Sequence, residues 1–579
     1  MKPVSGSPGK DTSRSPGAAA SITIRQWIAA GIMIAAVLSY RLNTLALSPM
    51  GQDQARDTHY ALRIAQGEEF PLLGPSMSID LWARYSPIYY YLIAIGCLFA
   101  KTPFAPVIEA SVLWWAALVM AYLALRRAFD GRHALFATLF LLVSPELLHM
   151  TDTVWNPFLL VVFSLMAFSF SILFARSGKP GWWYGFALSG AICAHLHPMA
   201  GFVALAFLPI AALQDLSRKH KLISGASCLL LAVPMLLGMF GKHPSRPLTK
   251  YCLAIYLVIG PLIVIGHSVL RELLPRLTAL YFRYSRIAWG LVLAASIFFI
   301  WHFGADPSRP TLWLLAFFAL LNAVGKKSQE RTSQKMAMFI EPAVVLICLM
   351  PLALILAVRT MISAQPGSHH FTYIYAVVGV WVGLRLVQVA QKSMGAITRT
   401  HTLRQRGLNR AIMLGSAVLL ALGHIWGHAL LVGNSYLFTF AGSQKVVEAL
   451  LEQFGNDERL FGRGVFVYGN QTGQDDENCG MYVYYHLLKG QYAKPKDEAE
   501  SPYALIVPKW QAPRDRFRNC FLATPQLSIL RFDSVPHFVA WLRSLKLRHV
   551  VRAQDFWQVR FYVDGYSFEK WLRIALAND

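Results

Sequence analysis

Asp53 and Asp57 stand four residues apart in the stretch GQDQARDTHYALR, residues 51–63. On a helix that spacing places both carboxylates on one face, with Arg56 beside them and His59 and Arg63 further round. A carboxylate in such a setting is a candidate general base, able to take a proton from an attacking hydroxyl when neighbouring charges tune its pKa. The competing reading is a solvated helix whose charges mark a membrane interface. The continuation EEFPLLGPSMSIDLWARYSPIYYYL argues against it, because its Pro and Gly turns, Arg84 and tyrosine-rich run make more structure than a connector needs.

The elements that must position these residues are mostly lipid-soluble. Of 579 residues, 55% are hydrophobic and only 15% charged, against about 25% charged in soluble domains. Runs such as VLWWAALVMAYLAL, NPFLLVVFSLMAFSFSILF and AIMLGSAVLLALGHIWGHALLV approach or reach the roughly 20 residues needed to cross a bilayer as helix. The chain therefore reads as a polytopic α-helical membrane protein. Its formal net charge of +23 is carried in short clusters between apolar runs, where positive charge sets orientation. No basic surface with interleaved aromatics is organised on a soluble domain, which excludes a nucleic-acid partner. Residues 1–22 are rich in Ser, Pro and Gly and read as a disordered cytoplasmic tail. The apolar run 24–40 is long for a signal peptide and reads as a retained anchor.

Charge bias orders the rest. The basic stretches 126–133, 175–180, 214–221, 271–286, 326–335 and 392–410 all fall inside when spans alternate, and only GKHPSRPLTK (241–250) dissents. Parity then requires that PIYYYLIAIGCLFA (87–100), too short to cross, is an interfacial or re-entrant helix. It also requires a turn at HLHP (195–198) that splits the apolar stretch 182–213 in two. The expected architecture is a membrane domain over 23–433 with about thirteen transmembrane helices. Its first external loop covers about 43–86. Residues 434–579 alternate helix-like and strand-like segments, among them GVFVYG, YALIVP and LSILRF, and are expected to form an external soluble α/β domain.

On that layout the outer face also collects Asp152 and Asn156 in MTDTVWN, His195 and His197 in HLHP, Lys242, His243 and Arg246 in GKHPSRPLTK, and His369 and His370 in SAQPGSHHFTY. Asp152 and Asn156 suit helix caps and also the lining of a site. His197 and its neighbour either close the turn or bond a substrate. Adjacent histidines such as His369 and His370 face different directions, which suits substrate contact better than zinc. Histidines inside spans, His267, His424 and His428, read as satisfied within the bundle. Cys97, Cys193, Cys228, Cys252 and Cys348 lie in or beside apolar segments and read as small buried hydrophobes. Cys479 and Cys520 alone fall in the external domain, where an oxidising compartment favours a disulfide between them.

The order of apolar anchor, acidic residue at the head of a long first loop, LGP turn (73–75), basic residue, and proline followed by a tyrosine-rich helix resembles the GT-C superfamily of membrane glycosyltransferases. Within it, the branch of dolichyl-phosphate-mannose protein mannosyltransferases and lipid A aminoarabinose transferases is the most similar. The resemblance is carried by residues 45–91. It implies that Asp53 is the catalytic base, although the family's Asp-Glu pair is here Asp53-Gln54, and that Arg84 contacts the donor phosphate, with Ser86 in place of a proline often found before Pro87. Arg56, Lys242, His243 and Arg246 are further phosphate-binding candidates. His59, Asp152, Asn156, His197, His369 and His370 are candidates to line the substrate. Asp57 is open to three roles: second acid, metal ligand or partner of Arg56.

The implied reaction is inverting transfer of a sugar from a polyprenyl-phosphate donor to a hydroxyl acceptor at the outer face of a bacterial cytoplasmic (inner) membrane, with the N-terminus inside. The acceptor is a glycan, lipid or protein, membrane lipid is the other partner, and a divalent metal, with Asp57 as a candidate ligand, is the one cofactor the residues leave open. The rival readings are a lipid or sugar transporter or flippase, and a non-catalytic envelope-assembly protein. The sequence lacks an inverted repeat of Gly/Pro-interrupted helices and has few acidic residues within spans, both common in transporters.

Overall fold

The computed structural model describes residues 24–44, 52–75, 84–100, 102, 104–144, 147, 150, 154–239, 247–302, 310–324, 340–349 and 373–400, together with short strands after residue 464. Among the described residues the helices that lead up to the longest element are α1 (Ile24–Thr44), α2 (Gln52–Ala65), α3 (Ile88–Phe99), α4 (Ala105–Ala128), α5 (Gly131–Val143), α6 (Asn156–Ser177), α7 (Pro180–Leu196), α8 (Val203–Ala211), α9 (Arg218–Leu230) and α10 (Val233–Met239). After them come α11 (Pro247–His302), α12 (Pro310–Val324), α13 (341–349) and α14 (Tyr373–Thr400).

The breaks between helices are written locally. Between α4 and α5, Asp130 caps α5 by accepting from the His133 N–H at 2.9 Å. α6 ends on Gly178, whose left-handed φ of 65° suits a residue without Cβ, and α7 starts on Pro180, whose missing N–H would be unpaired there anyway. The expected turn at HLHP is present: α7 stops at Leu196, a single 3-10 turn follows over Pro198–Ala200, and α8 resumes at Val203.

α6 is the hub. It is apolar on all sides, 83% of its span is buried, and α4, α7, α8 and α14 pack round it, as an all-round hydrophobic helix requires. α4 is two-faced. Ala110, Trp114, Ala117, Ala121, Ala124 and Ala128 are buried, while Ile108, Val112, Val119 and Leu123 form an exposed stripe. The alanines let helix backbones approach, and the outer stripe is what lipid would cover. Among the described residues, three helices are long and apolar enough to cross a membrane, and the pair α9 and α10, bent by 41°, is either a fourth, broken span or a re-entrant loop. Shorter apolar helices accompany them, within α1, α3, α5, α12 and α14. The expected span AIMLGSAVLLALGHIWGHALLV (411–432) lies outside the described residues.

The connectors sort to the two ends of this bundle. At one end Arg176 donates to the Arg127 carbonyl (3.1 Å), Gln214 to the Ala175 carbonyl (2.9 Å) and Lys221 to Ser268 (2.8 Å), while Arg271 pairs with Asp215 (3.6 Å). The basic stretches 126–133, 175–180, 214–221 and the start of 271–286 are thus neighbours. One helix length away, α6 begins beside the HLHP turn, where Asn156 donates to the Leu196 carbonyl (3.1 Å).

One expectation is corrected. The stretch 271–286, read as a connector, is helical throughout: α11 runs unbroken for 56 residues with Pro261 and Pro275 inside it. Its Arg, Leu and Glu residues are strong helix formers, and charge marks the side of a membrane without marking the end of a helix. Most of 271–286 is exposed.

In the last third of the chain β1 (Val465–Val467), β2 (Ala504–Pro508), β3 (Cys520–Leu522) and β4 (Leu527–Arg531) form a sheet in the order β1-β2-β4-β3, with β1 parallel to β2 and the other pairs antiparallel. These strands include the cores of GVFVYG, YALIVP and LSILRF. β5 (Tyr562–Val563) and β6 (Tyr566–Ser567) make a separate pair. Cys520 lies on β3, while Cys479 is outside the described residues. Cys97, Cys193, Cys228, Cys252 and Cys348 are buried free thiols.

Candidate active site

α2 is the platform for the acidic pair. Its buried face carries Asp57, Thr58, Ala61 and Leu62 and packs on α3, where Tyr60 stacks on Tyr90 with ring centroids 4.7 Å apart. Asp57 is therefore not on a solvated face; it is fully buried, which for a carboxylate among apolar helices calls for a functional or structural reason. Position 53 lies one turn earlier on α2. The side chains of Asp53, Arg56 and His59 lie outside the described residues, as do Asp152, Lys242, His243, Arg246, His369 and His370. α2 ends on Gly67 (φ 76°), after which Glu68 and Glu69 turn back to pair with Arg63.

The chain then folds on itself. The Gly74 N–H donates to the Tyr85 carbonyl (2.9 Å) and the Tyr85 N–H donates to the Pro75 carbonyl (3.0 Å), so the LGP turn is clipped to residues 84–86. Only glycine fits at 74, because a Cβ there would lie 2.1 Å from the Ser86 carbonyl oxygen. The Tyr91 hydroxyl, from α3, donates to the Pro71 carbonyl (3.1 Å).

The segment 84–86 is also held from two distant parts of the chain. The Arg84 N–H donates to the Thr249 hydroxyl of α11 (3.1 Å). The Ser86 hydroxyl lies 2.8 Å from His195 Nδ1, and the Tyr85 hydroxyl 3.4 Å from His197 Nε2. The His195 ring stacks on Tyr256 of α11, centroids 4.3 Å apart. Ser86, His195, His197 and Tyr256 are buried. The Arg84 side chain is partly buried, and its guanidinium has no carboxylate partner among the described residues.

The structure thus brings Arg84, Asn156 and His197 together. His197 faces Tyr85, which uses one ring nitrogen to tie the turn to the first loop. Asn156 fixes the turn's backbone rather than capping its own helix. Sequence reasoning did not pick out Tyr85, Thr249 and Tyr256. They carried no local signal, since their partners are 112 or more residues away for Tyr85 and Thr249. Among the described residues, no three His, Cys, Asp or Glu side chains gather as metal ligands. His267 is buried in an aromatic setting, edge-on to Trp183 at 4.7 Å; His424 and His428 lie outside the described residues.

Residues 84–237 match the family model of dolichyl-phosphate-mannose-protein mannosyltransferases. The matched segment begins at Arg84 and contains α3 to α9, most of α10 and the HLHP turn, so the resemblance to GT-C membrane glycosyltransferases extends well beyond the first loop. The chain is a multi-pass helical membrane protein, and its segment 84–237 is similar to this glycosyltransferase family. Similar solved structures include the oligosaccharyltransferase of Archaeoglobus fulgidus in complex with Zn and sulfate, at 16% identity and a TM-score of 0.42, covering 82% of this chain and 59% of that one. Another is ArnT from Cupriavidus metallidurans bound to undecaprenyl phosphate, at 12% identity and a TM-score of 0.38, covering 88% of this chain and 98% of that one. The chain spans 59% of the length of the archaeal enzyme. No curated protein matches it.

Proposed function

We propose that this protein is an inverting glycosyltransferase that moves a sugar from a polyprenyl-phosphate donor to a hydroxyl acceptor at the outer face of the cytoplasmic membrane. The observation that carries the reading is Arg84: a partly buried guanidinium without a carboxylate partner among the described residues, on a backbone pinned from three sides, at the start of the segment that matches the mannosyltransferase model. A cation in that setting suits an anionic headgroup arriving from the bilayer.

In the reaction, the acceptor hydroxyl oxygen attacks the anomeric carbon while the bond from that carbon to the phosphate oxygen breaks, and the configuration inverts. Asp53 takes the hydroxyl proton. Arg84 stabilises the charge that develops on the departing polyprenyl phosphate, supported by Arg56 and by Lys242, His243 and Arg246. Asp57, buried one turn from Asp53, serves as second acid or metal ligand. The sheet-bearing C-terminal region is external.

The test is turnover of labelled polyprenyl-phosphate sugars by the purified protein and by Asp53→Asn. Loss of transfer with donor still bound is the expected result. Transport of the lipid across vesicles, unchanged by the substitution, would instead establish the transporter reading.

A further inference from the structure

We propose that Ser86 and His195 are positioning residues that set the direction of the Arg84 guanidinium, an inference that rests on the phosphate-binding reading of Arg84. Residues 84–86 are restrained through both backbone and side chains. The Arg84 N–H, the Tyr85 N–H and the Tyr85 carbonyl are bonded to Thr249, Pro75 and Gly74. The Tyr85 phenol meets His197. The Ser86 hydroxyl accepts from the Ile88 N–H (3.4 Å) and contacts His195 Nδ1 at 2.8 Å. The Arg84 side chain, by contrast, has no carboxylate partner among the described residues.

Of these contacts, Ser86 to His195 joins two fully buried side chains, where water cannot replace a lost partner and the bond is correspondingly strong. The His195 ring is in turn oriented by the stack on Tyr256, and its backbone by the bond from Asn156 to the adjacent Leu196 carbonyl. A single imidazole therefore fastens the first loop, the end of α7 and α11 to one another, two residues from Arg84. Holding a binding group in its bound direction removes the ordering cost that a mobile side chain would meet on association.

The experiment measures binding of undecaprenyl phosphate, with undecaprenol as the uncharged control, to the full-length protein in nanodiscs. Wild type is expected to prefer the phosphate. Ser86→Ala and His195→Ala should each weaken phosphate binding about tenfold, leave undecaprenol binding unchanged, and together weaken it no further than either alone. Ser86→Thr, which keeps the hydroxyl, and His195→Asn, whose amide replaces Nδ1, should restore binding. In an Arg84→Gln background neither alanine should have any additional effect.

The proposal is overturned if Arg84→Gln weakens phosphate binding while both alanines leave it intact. It is equally overturned if the alanines weaken both lipids alike, or if their losses add to that of Arg84→Gln, since each pattern describes a general packing defect. A wild type that does not distinguish phosphate from alcohol defeats the transferase reading itself, and the positioning role with it.

Discussion

Two arginines in this molecule meet opposite fates. Arg385, on α14, donates to Glu341 and to Gln388 (3.1 Å) and lies over the Trp381 ring, 5.4 Å from its centroid. Glu341 also accepts from the Tyr281 hydroxyl (2.8 Å), and Trp381 stacks on Trp289 at 4.6 Å. This guanidinium is committed to protein partners on α13 and α14, which Tyr281 and Trp289 tie in turn to α11. Arg84 is the reverse: its backbone is fastened, and its guanidinium has no carboxylate partner among the described residues. A partly buried cation paired with a buried carboxylate holds helices together, and a cation on a rigid support without a carboxylate among the described residues is built to receive an anion.

The largest expected effect breaks the first half of that contrast. Arg385→Met leaves Glu341 buried without its cation and should destabilise the fold by about 3–5 kcal/mol, read as a drop in thermal unfolding temperature in detergent. Because the same ion pair can be replaced by apolar residues at little cost, the double variant Arg385→Met with Glu341→Leu should recover most of that loss. Arg84→Gln should do the opposite, lowering sugar transfer by about 10²–10³-fold while the unfolding temperature stays near wild type. Equal destabilisation by both substitutions would abolish the distinction between them.

Smaller effects sharpen it. Gly74→Ala forces a Cβ toward the Ser86 carbonyl oxygen and should cost about 1–3 kcal/mol, accompanied by weaker phosphate binding, because the clip on residues 84–86 must open. At the other end of the bundle, Asp130→Ala removes a helix cap and should cost about 1 kcal/mol without altering phosphate binding. Asp130 also gives a pH signature. Burial pushes its carboxyl up, but the hydrogen bonds and charge of His133 outweigh burial and hold it below its usual value. Its stabilisation is therefore complete above the unfolded value of about 3.9 and is lost as pH falls through the lower folded value. The stability difference between wild type and Asp130→Ala should be present above about pH 4 and close below it.

Legibility in the sequence followed the range of the interactions. The turn at HLHP, the stop at Ser177-Gly178-Lys179-Pro180 and the strands within YALIVP and LSILRF rest on residues close together in the chain, and each could be read from local chemistry. Burial of five cysteines followed from apolar neighbours alone. The neighbourhood of basic connectors at one end of the bundle followed from charge bias. The site was only half legible. Arg84 stood out through the tyrosine-rich run after it, and Asp57 through its spacing from Asp53. The partners that hold Arg84 come from 109 to 165 residues away, and nothing near Thr249 or Tyr256 announces them. The continuity of α11 was hidden for a different reason: a basic run and a proline resemble a loop, whereas its residues favour helix and tolerate both.

The most direct measurement of the central claim is solid-state NMR of undecaprenyl phosphate bound to protein carrying ¹⁵N-labelled arginine. A dipolar coupling between the lipid phosphorus and an arginine side chain, present in wild type and absent in Arg84→Gln, is the predicted result. A coupling that survives in Arg84→Gln would place the phosphate on another cation and contradict the account.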